Sequence, residues 1–394
     1  MTKSPFLILT TLFATVLFSC SEKETTSTAT NPTQELQFEV VDSIMVDVLE
    51  MLAVLDYLPS KDLYLMKELR KGNIFLVNGE GEIIDNRDIS GEGPDQIQMV
   101  AEGRFYGEEG YLFKEFSGTM DFSLYNLDFK KIKKFDGTLV ELNSLSIYNY
   151  KQSFSVFEEE GKSFIVGEEP NSYSKAAIDP EKIGADFYKQ ANTGFIYDLD
   201  QDSITYVNTY PEGWEPKDTQ KWVGESYPFL SYNPKTKEVA SLPVKGNQMG
   251  LYRLDGYELI YETGVELSHP DREGHVADTE KEAMIYPSFA DIKAFGDYQI
   301  VQFYTAMPED IYNGFRAKGE NFQSDPEYRD AMIKYRKLRN IIVKGDRQIG
   351  ILNEFPVAGS VNLGLPDGTL IIKAADGEVE RDYNLFYKVR LVEG

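Results

Sequence analysis

From about Leu36 to the C-terminus the chain is a succession of short runs rich in Ile, Val, Tyr and Phe, each closed by turn residues. Runs of roughly 4–8 such residues between turn signals read as strands, not helices. Asn73-Ile74-Phe75-Leu76-Val77 leads into Asn78-Gly79-Glu80-Gly81 and then Glu82-Ile83-Ile84, a hairpin signature. Asp-Gly pairs recur at Asp136-Gly137, Asp255-Gly256, Asp367-Gly368 and Asp376-Gly377, and each is expected to turn a hairpin. The chain has 25 Tyr and 24 Phe against 2 Trp, rings that pack well on a pleated surface. The fold class is all-β.

The runs group into units: 63–90, 103–135, 154–207, 228–267, 288–355 and 360–392. Tyr125-Asn126-Leu127-Asp128 and Tyr197-Asp198-Leu199-Asp200 occupy like places in two of them. A hairpin unit repeated every few tens of residues cannot bury its own apolar face, so the units must share cores, as in a propeller or solenoid. A six-bladed β-propeller spanning residues 36–394 is predicted, with seven blades as the alternative, because six leaves about 60 residues per blade against the roughly 40–50 usual for such repeats. Two insertions, 171–191 and 307–338, absorb the excess. The strand 36–45 is expected to close the ring by pairing into the last unit. The second insertion should hold a short helix near 325–338: Asp325 suits the N-cap, Pro326 the first position and Glu327 the positive helix start. Tyr328, Met332 and Tyr335 then share a face, and Arg329, Lys334, Arg336 and Lys337 form a basic cluster.

The N-terminus carries a different signal. Lys3 precedes an apolar run from Phe6 to Phe18, too short for a bilayer span of roughly 20 residues and suited to a signal-peptide core. It ends in Leu17-Phe18-Ser19-Cys20, and Cys20 is the only cysteine. That ending resembles the lipobox of bacterial lipoproteins. The resemblance implies a signal peptide over 1–19, a lipidated Cys20, a membrane anchor and a cell-envelope location, on the periplasmic or the surface-exposed face. Residues 20–35, rich in Thr, Ser, Asn and Pro, read as a flexible tether. The acids after Cys20 resemble the surface-export signal of some Bacteroidota lipoproteins and equally suit a plain solvated linker.

The segment Ile89-Ser90-Gly91-Glu92-Gly93-Pro94-Asp95-Gln96 resembles the Gly-x-Gly-Pro loop near the first blade of six-bladed β-propeller lipoproteins of the Bacteroidota. Gly91, Gly93 and Pro94 match that loop. Asp95 and Gln96 stand where the family has Gly and Glu, so no ligand role passes to them. The resemblance implies the six-bladed fold and says little of function.

The chain has 65 acidic and 40 basic residues, a net charge of −25, and loss of Lys3 with the leader makes this −26. Such a surface repels nucleic acid. Signatures of catalysis are few. His269 and His275 are the only histidines, in a Pro/Gly-containing segment read as an exposed loop; their spacing and the acids between them are a weak metal signal. No Gly-x-Ser-x-Gly elbow, Walker loop or dinucleotide fingerprint occurs. Asp198-Leu199-Asp200-Gln201-Asp202 alternates acids like a calcium loop, yet has Ser203 and Thr209 where the loop requires Gly and Glu. No cofactor is expected. The polar or aromatic residues at run edges, where a propeller opens its channel, are Arg104, Lys114, Glu115, Arg253, Tyr304 and Arg336, and these are the candidate binding positions. The pattern favours a membrane-anchored binding or scaffolding module with an envelope protein or glycan partner. The alternatives are an envelope enzyme acting on glycans through channel carboxylate, Tyr or Arg residues, and a calcium- or peptide-binding partner of a transporter.

Overall fold

The computed structural model describes residues 32–144, 151–275, 279–376 and 381–392. Twenty-four strands among them form six four-stranded antiparallel sheets. Blades 1 to 5 run in chain order, from innermost to outermost strand: Leu52–Leu58 to Ile83–Arg87, Val100–Tyr106 to Lys131–Phe135, Phe154–Glu159 to Ser203–Val207, Phe229–Asn233 to Glu258–Glu266, and Phe289–Phe295 to Arg347–Leu352. Blade 6 takes three strands from the C-terminus, Gly359–Gly364, Thr369–Ala374 and Asn384–Leu391. Its fourth is the N-terminal strand Phe38–Val46, which pairs antiparallel with Asn384–Leu391, Phe38 opposite Leu391 and Val46 opposite Asn384. Each innermost strand lies against the next, and the last returns to the first, so the sheets form a closed ring. The fold is a six-bladed β-propeller.

The physical reason for the ring is visible in its cores. Among the described residues six apolar clusters lie between blades, one for each adjacent pair. Leu52, Tyr64 and Met66 pack on Ile44, Leu363, Ile371 and Phe386 between blades 1 and 6. Leu242, Met249 and Val265 pack on Ile292, Val301 and Ile341 between blades 4 and 5. The other four interfaces repeat the pattern. No blade owns a core, so none is expected to be stable alone.

The six units match the blades closely, with one omission. The innermost strand of blade 1, Leu52–Leu58, precedes the first predicted unit. Its sequence, Leu-Ala-Val-Leu-Asp-Tyr-Leu, has no polar alternation because its first four residues are buried. Two of the four Asp-Gly pairs, Asp255-Gly256 and Asp367-Gly368, turn hairpins. Asp136-Gly137 does not: it begins the crossing from blade 2 to blade 3. A Cβ on Gly137 would stand 1.7 Å from the carbonyl oxygen of Thr119, so glycine is required there by close approach, not by a turn. Gly377 lies outside the described residues. The end of the expected tether is also ordered against the ring. Gln34 and Leu36 exchange backbone hydrogen bonds with Ile351, and Glu35 accepts from Asn353. The outermost strand of blade 5 is an edge with unpaired backbone groups, and residues 34–36 satisfy some of them.

All hairpin turns joining first to second strands, and third to fourth strands, lie on one face and are short. The crossings between blades and the connections from second to third strands lie on the other, and both insertions are there. The blade 5 insertion holds two helices, Glu309–Arg316 and Pro326–Tyr335. The second carries the predicted cap, Asp325 Oδ1 accepting from Glu327 N at 2.9 Å, but ends before Arg336, and Leu338 already begins a strand. The first was not foreseen. It has no side-chain cap and is held through Tyr312, which packs with Tyr328 and Met307.

Candidate functional site

On the long-connection face the channel widens into a cavity of about 480 Å³. That lies within the roughly 300–1,000 Å³ of small-molecule pockets. Blades 1 to 5 form its wall with the starts of their innermost strands and the ends of their second strands. The register explains this: Leu52 pairs with Glu68, Val100 with Glu115 and Phe154 with Gly167, so both strand ends reach the same rim. Second-strand ends therefore deliver Lys67-Glu68, Lys114, Glu168-Glu169 and Tyr304 to the cavity. Leu69, Met99, Phe116, Met120 and Phe229 belong to its apolar wall.

Most of the charge is internally matched. Glu102 accepts from the Ser153 hydroxyl at 2.5 Å, from Ser153 N at 2.8 Å and from Arg104 at 3.2 Å. Glu169 accepts from Thr138 Oγ1 at 2.6 Å and Asn171 N at 3.1 Å, with Lys114 at 3.5 Å. Glu168 is paired with Lys151 and accepts from Leu230 N at 3.0 Å. Burial disfavours charge on Lys151, but the Glu168 carboxylate outweighs it and holds the ammonium above its usual pKa. Burial pushes the Glu168 carboxyl up against the pull of Lys151. Glu68 is the least engaged of the four, with Asn73 Nδ2 at 2.9 Å.

The six candidate positions separate. Lys114, Tyr304 and Arg336 line the cavity. The Arg336 guanidinium lies over the Tyr304 ring, 5.2 Å from its centroid, and its Nη1 donates to the carbonyls of Ala283, Tyr286 and Thr305. The expected solvated basic face thus loses Arg336, which turns inward after the helix ends. Arg104 lies deeper, on the innermost strand of blade 2, and is 5% exposed. It donates to Phe154 O, Leu55 O and Gly103 O at 2.7–3.0 Å, stitching three blades. Glu115 is buried beside the cavity and accepts from Ser123 Oγ at 2.6 Å. It borders a separate shallow hollow that also touches Gly91 and Gly93. Arg253 does not line the channel. It is exposed on the third strand of blade 4, near the tight-turn face, and pairs with Asp255 and Glu262. A strand-edge position marks a channel residue only on the first two strands of a blade.

The Gly91-Gly93-Pro94 loop joins blade 1 to blade 2 and folds around Gln96. Gly93 N donates to Gln96 Oε1 at 2.8 Å, and Cβ atoms on Gly91 and Gly93 would stand 2.5 and 2.8 Å from that oxygen. The histidine segment is the exposed loop expected only in part: Pro270, Asp271, Glu273, Gly274 and His275 are exposed, but His269 and Arg272 are not. His269 is 2% exposed, packs edge-on against Phe303, and accepts from Asp271 N at Nδ1, 3.1 Å away. Burial pulls its pKa down to about 4. Arg272 is also buried, stacks on Phe289 and donates to the carbonyls of Pro287 and Gly246.

Lys67, Glu68, Arg70, Glu102, Lys151, Glu168 and Glu169 were missed as cavity residues. A signal for four of the seven was present: Lys67-Glu68 ends the second strand of blade 1 as Lys114-Glu115 ends that of blade 2, and Glu168-Glu169 closes that of blade 3.

Comparison with known proteins agrees with the architecture. The chain is similar to the crystal structure of a DUF4221 family member from Bacteroides vulgatus, at 10% identity and a TM-score of 0.57, covering 92% of this chain and 100% of that one. It is also similar to a putative exported protein from Bacteroides fragilis, at 12% identity and a TM-score of 0.49, covering 91% and 95%. No family model matches the sequence, and no curated protein matches it. At 10% identity the first of these likenesses is one of fold alone.

Proposed function

We propose that the chain is an envelope binding module, held to a membrane by lipid on Cys20, whose ligand enters the channel mouth. The observation that carries this is the mouth itself: a cavity of about 480 Å³ lined by apolar and aromatic side chains and by nine charged ones, on the face that holds every long connection. The leader and lipobox-like Cys20 support the location. Binding is favoured over hydrolysis by the state of the carboxylates. Glycoside hydrolysis needs a pair of carboxyls, and among the described residues three of the four here, Glu102, Glu168 and Glu169, have both oxygens engaged, which leaves Glu68 alone with an oxygen to spare.

Two measurements test the reading. Cys20→Ala should move the protein from the membrane to the soluble fraction; equal partition of the two proteins overturns the anchor. Full-length protein recovered from its own membranes should carry a ligand that mass spectrometry identifies. The Tyr304→Asp protein, altered only at the exposed rim of the cavity, should lose it. Recovery of the same species with both proteins overturns the mouth as the site.

A further inference from the structure

We infer that the ligand of the mouth is a small amphipathic organic anion, an acid group on an apolar body. This rests on the mouth being the binding site. The argument is one of unmatched charge. The protein as a whole carries 25 more acids than bases, yet the cavity lining reverses that balance, with Lys67, Arg70, Lys114, Lys151 and Arg336 against Glu68, Glu102, Glu168 and Glu169.

Two of the five cations are spoken for by carboxylates, Lys114 by Glu169 and Lys151 by Glu168. Among the described residues the other three form no ion pair; Glu102 attracts Lys67 through space without bonding to it. Lys67 is buried and donates to the carbonyls of Val100 and Ala101, at 3.1 and 2.8 Å. Among the described residues Arg336 donates only to carbonyls, all through Nη1, and its buried Nε has no partner. Arg70 stands exposed at the rim with no side-chain hydrogen bond and no ion pair among the described residues. Carbonyl dipoles satisfy donors without neutralising charge. Burial accordingly pulls Lys67 and Arg336 down from their usual pKa values. An anion seated between them would supply the missing charge, and guanidinium groups are suited to oxyanions.

The wall selects the rest of the ligand. Leu69, Met99, Phe116, Met120 and Phe229 offer aliphatic, thioether and phenyl surface, and thioethers adapt to irregular apolar shapes. A neutral sugar would bury the three cations without supplying a counter-charge, which is costly. An extended acidic peptide would bring more charges than three cations can match.

Isothermal titration tests this with full-length protein in a neutral detergent. The probes are naphthalene-2-carboxylate, its neutral analogue naphthalen-2-ylmethanol, the cation naphthalen-2-ylmethylammonium and hexaglutamate. The Arg70→Gln protein in the same detergent serves as reference, since Arg70 is exposed and unbonded and its loss leaves the fold intact. The carboxylate should bind at least tenfold more tightly than the alcohol, and the ammonium should not bind. Arg70→Gln should weaken the carboxylate about tenfold, one charge-assisted hydrogen bond, and leave the alcohol unchanged. Equal binding of carboxylate and alcohol, or no effect of Arg70→Gln on the carboxylate, overturns the inference. Binding of hexaglutamate without the carboxylate overturns it too. If Tyr304→Asp abolishes binding of the alcohol in those cases, the mouth survives as the site and only the anion falls; if Tyr304→Asp alters no probe, the mouth falls with it.

Discussion

The two faces of the ring are built from the same strands and do opposite things. On one face, strands are joined by turns of a few residues, such as Asp255-Gly256 and Asp367-Gly368. On the other, the crossings and insertions form a second layer with cores of its own. Phe187, Tyr188, Tyr210 and Trp214 are buried together where the blade 3 insertion meets the crossing to blade 4. Met307, Tyr312, Tyr328 and Ala331 pack in the blade 5 insertion. The difference teaches where a propeller stores specificity. The turn face is set by backbone geometry and has little to vary. The loop face is set by side-chain packing, and it shapes the mouth.

If the loop layer is a true core, truncation there should cost as much as truncation between blades. Trp214 is fully buried, stacks on Tyr210 and donates from Nε1 to Lys245 O at 2.9 Å. Trp214→Ala should destabilise the protein by about 3–5 kcal/mol, read by chemical denaturation. A cost under about 1 kcal/mol would show that the layer only rests on the ring.

The second test uses pH. His269 lies in the crossing from blade 4 to blade 5, and burial brings its pKa to about 4. The folded value is below the ordinary 6.5, so the unfolded chain binds more protons between pH 6.5 and 4. Stability must therefore fall as pH drops through that window. His269 should account for about 2 kcal/mol of the loss between pH 7 and 4.5. The difference in unfolding free energy between wild type and His269→Gln should shrink by that amount over the same range. A constant difference would mean that the crossing opens to solvent and the loop layer is looser than its packing implies.

Much of this contrast was legible in the sequence, but unevenly. Period-two runs and turn residues located five blades almost whole and the closing strand, because strand spacing and glycine chemistry are local properties. Leu52–Leu58 escaped because a strand buried on both faces loses its alternation. Asp136-Gly137 misled because a glycine needed for close approach looks like one needed for a turn. The mouth was half legible. Lys114, Tyr304 and Arg336 stand at run edges and reach it, whereas Arg253 shares that local pattern and faces solvent. Which strand of a blade a run becomes is decided by the whole ring. Arg70, Lys151 and Ser153 lie in connections, whose course no periodicity encodes.

A smaller effect sharpens the comparison within the loop face. Gln96 occupies the middle of the loop from blade 1 to blade 2, its side-chain oxygen taking the Gly93 N–H. Gln96→Ala removes that acceptor and should cost about 1 kcal/mol. Gln96→Glu keeps the acceptor and should cost less, so a thermal melt in which both variants match wild type would show that the loop holds its course without this residue.

The smallest effect sets one exposed arginine on each face against the other. Arg253, near the tight turns, pairs with Asp255 and Glu262. Arg70, at the mouth, pairs with nothing among the described residues. A count of interactions predicts that Arg253 matters more to stability. Screening by water argues otherwise, since exposed ion pairs contribute roughly 0–1 kcal/mol. Arg253→Gln and Arg70→Gln should each change the unfolding free energy by less than about 0.5 kcal/mol. The two should differ only in ligand binding, where Arg70 alone has an effect. A loss above 1 kcal/mol for Arg70→Gln would place that side chain in the fold instead of at the service of a ligand, and would remove the least encumbered cation from the mouth.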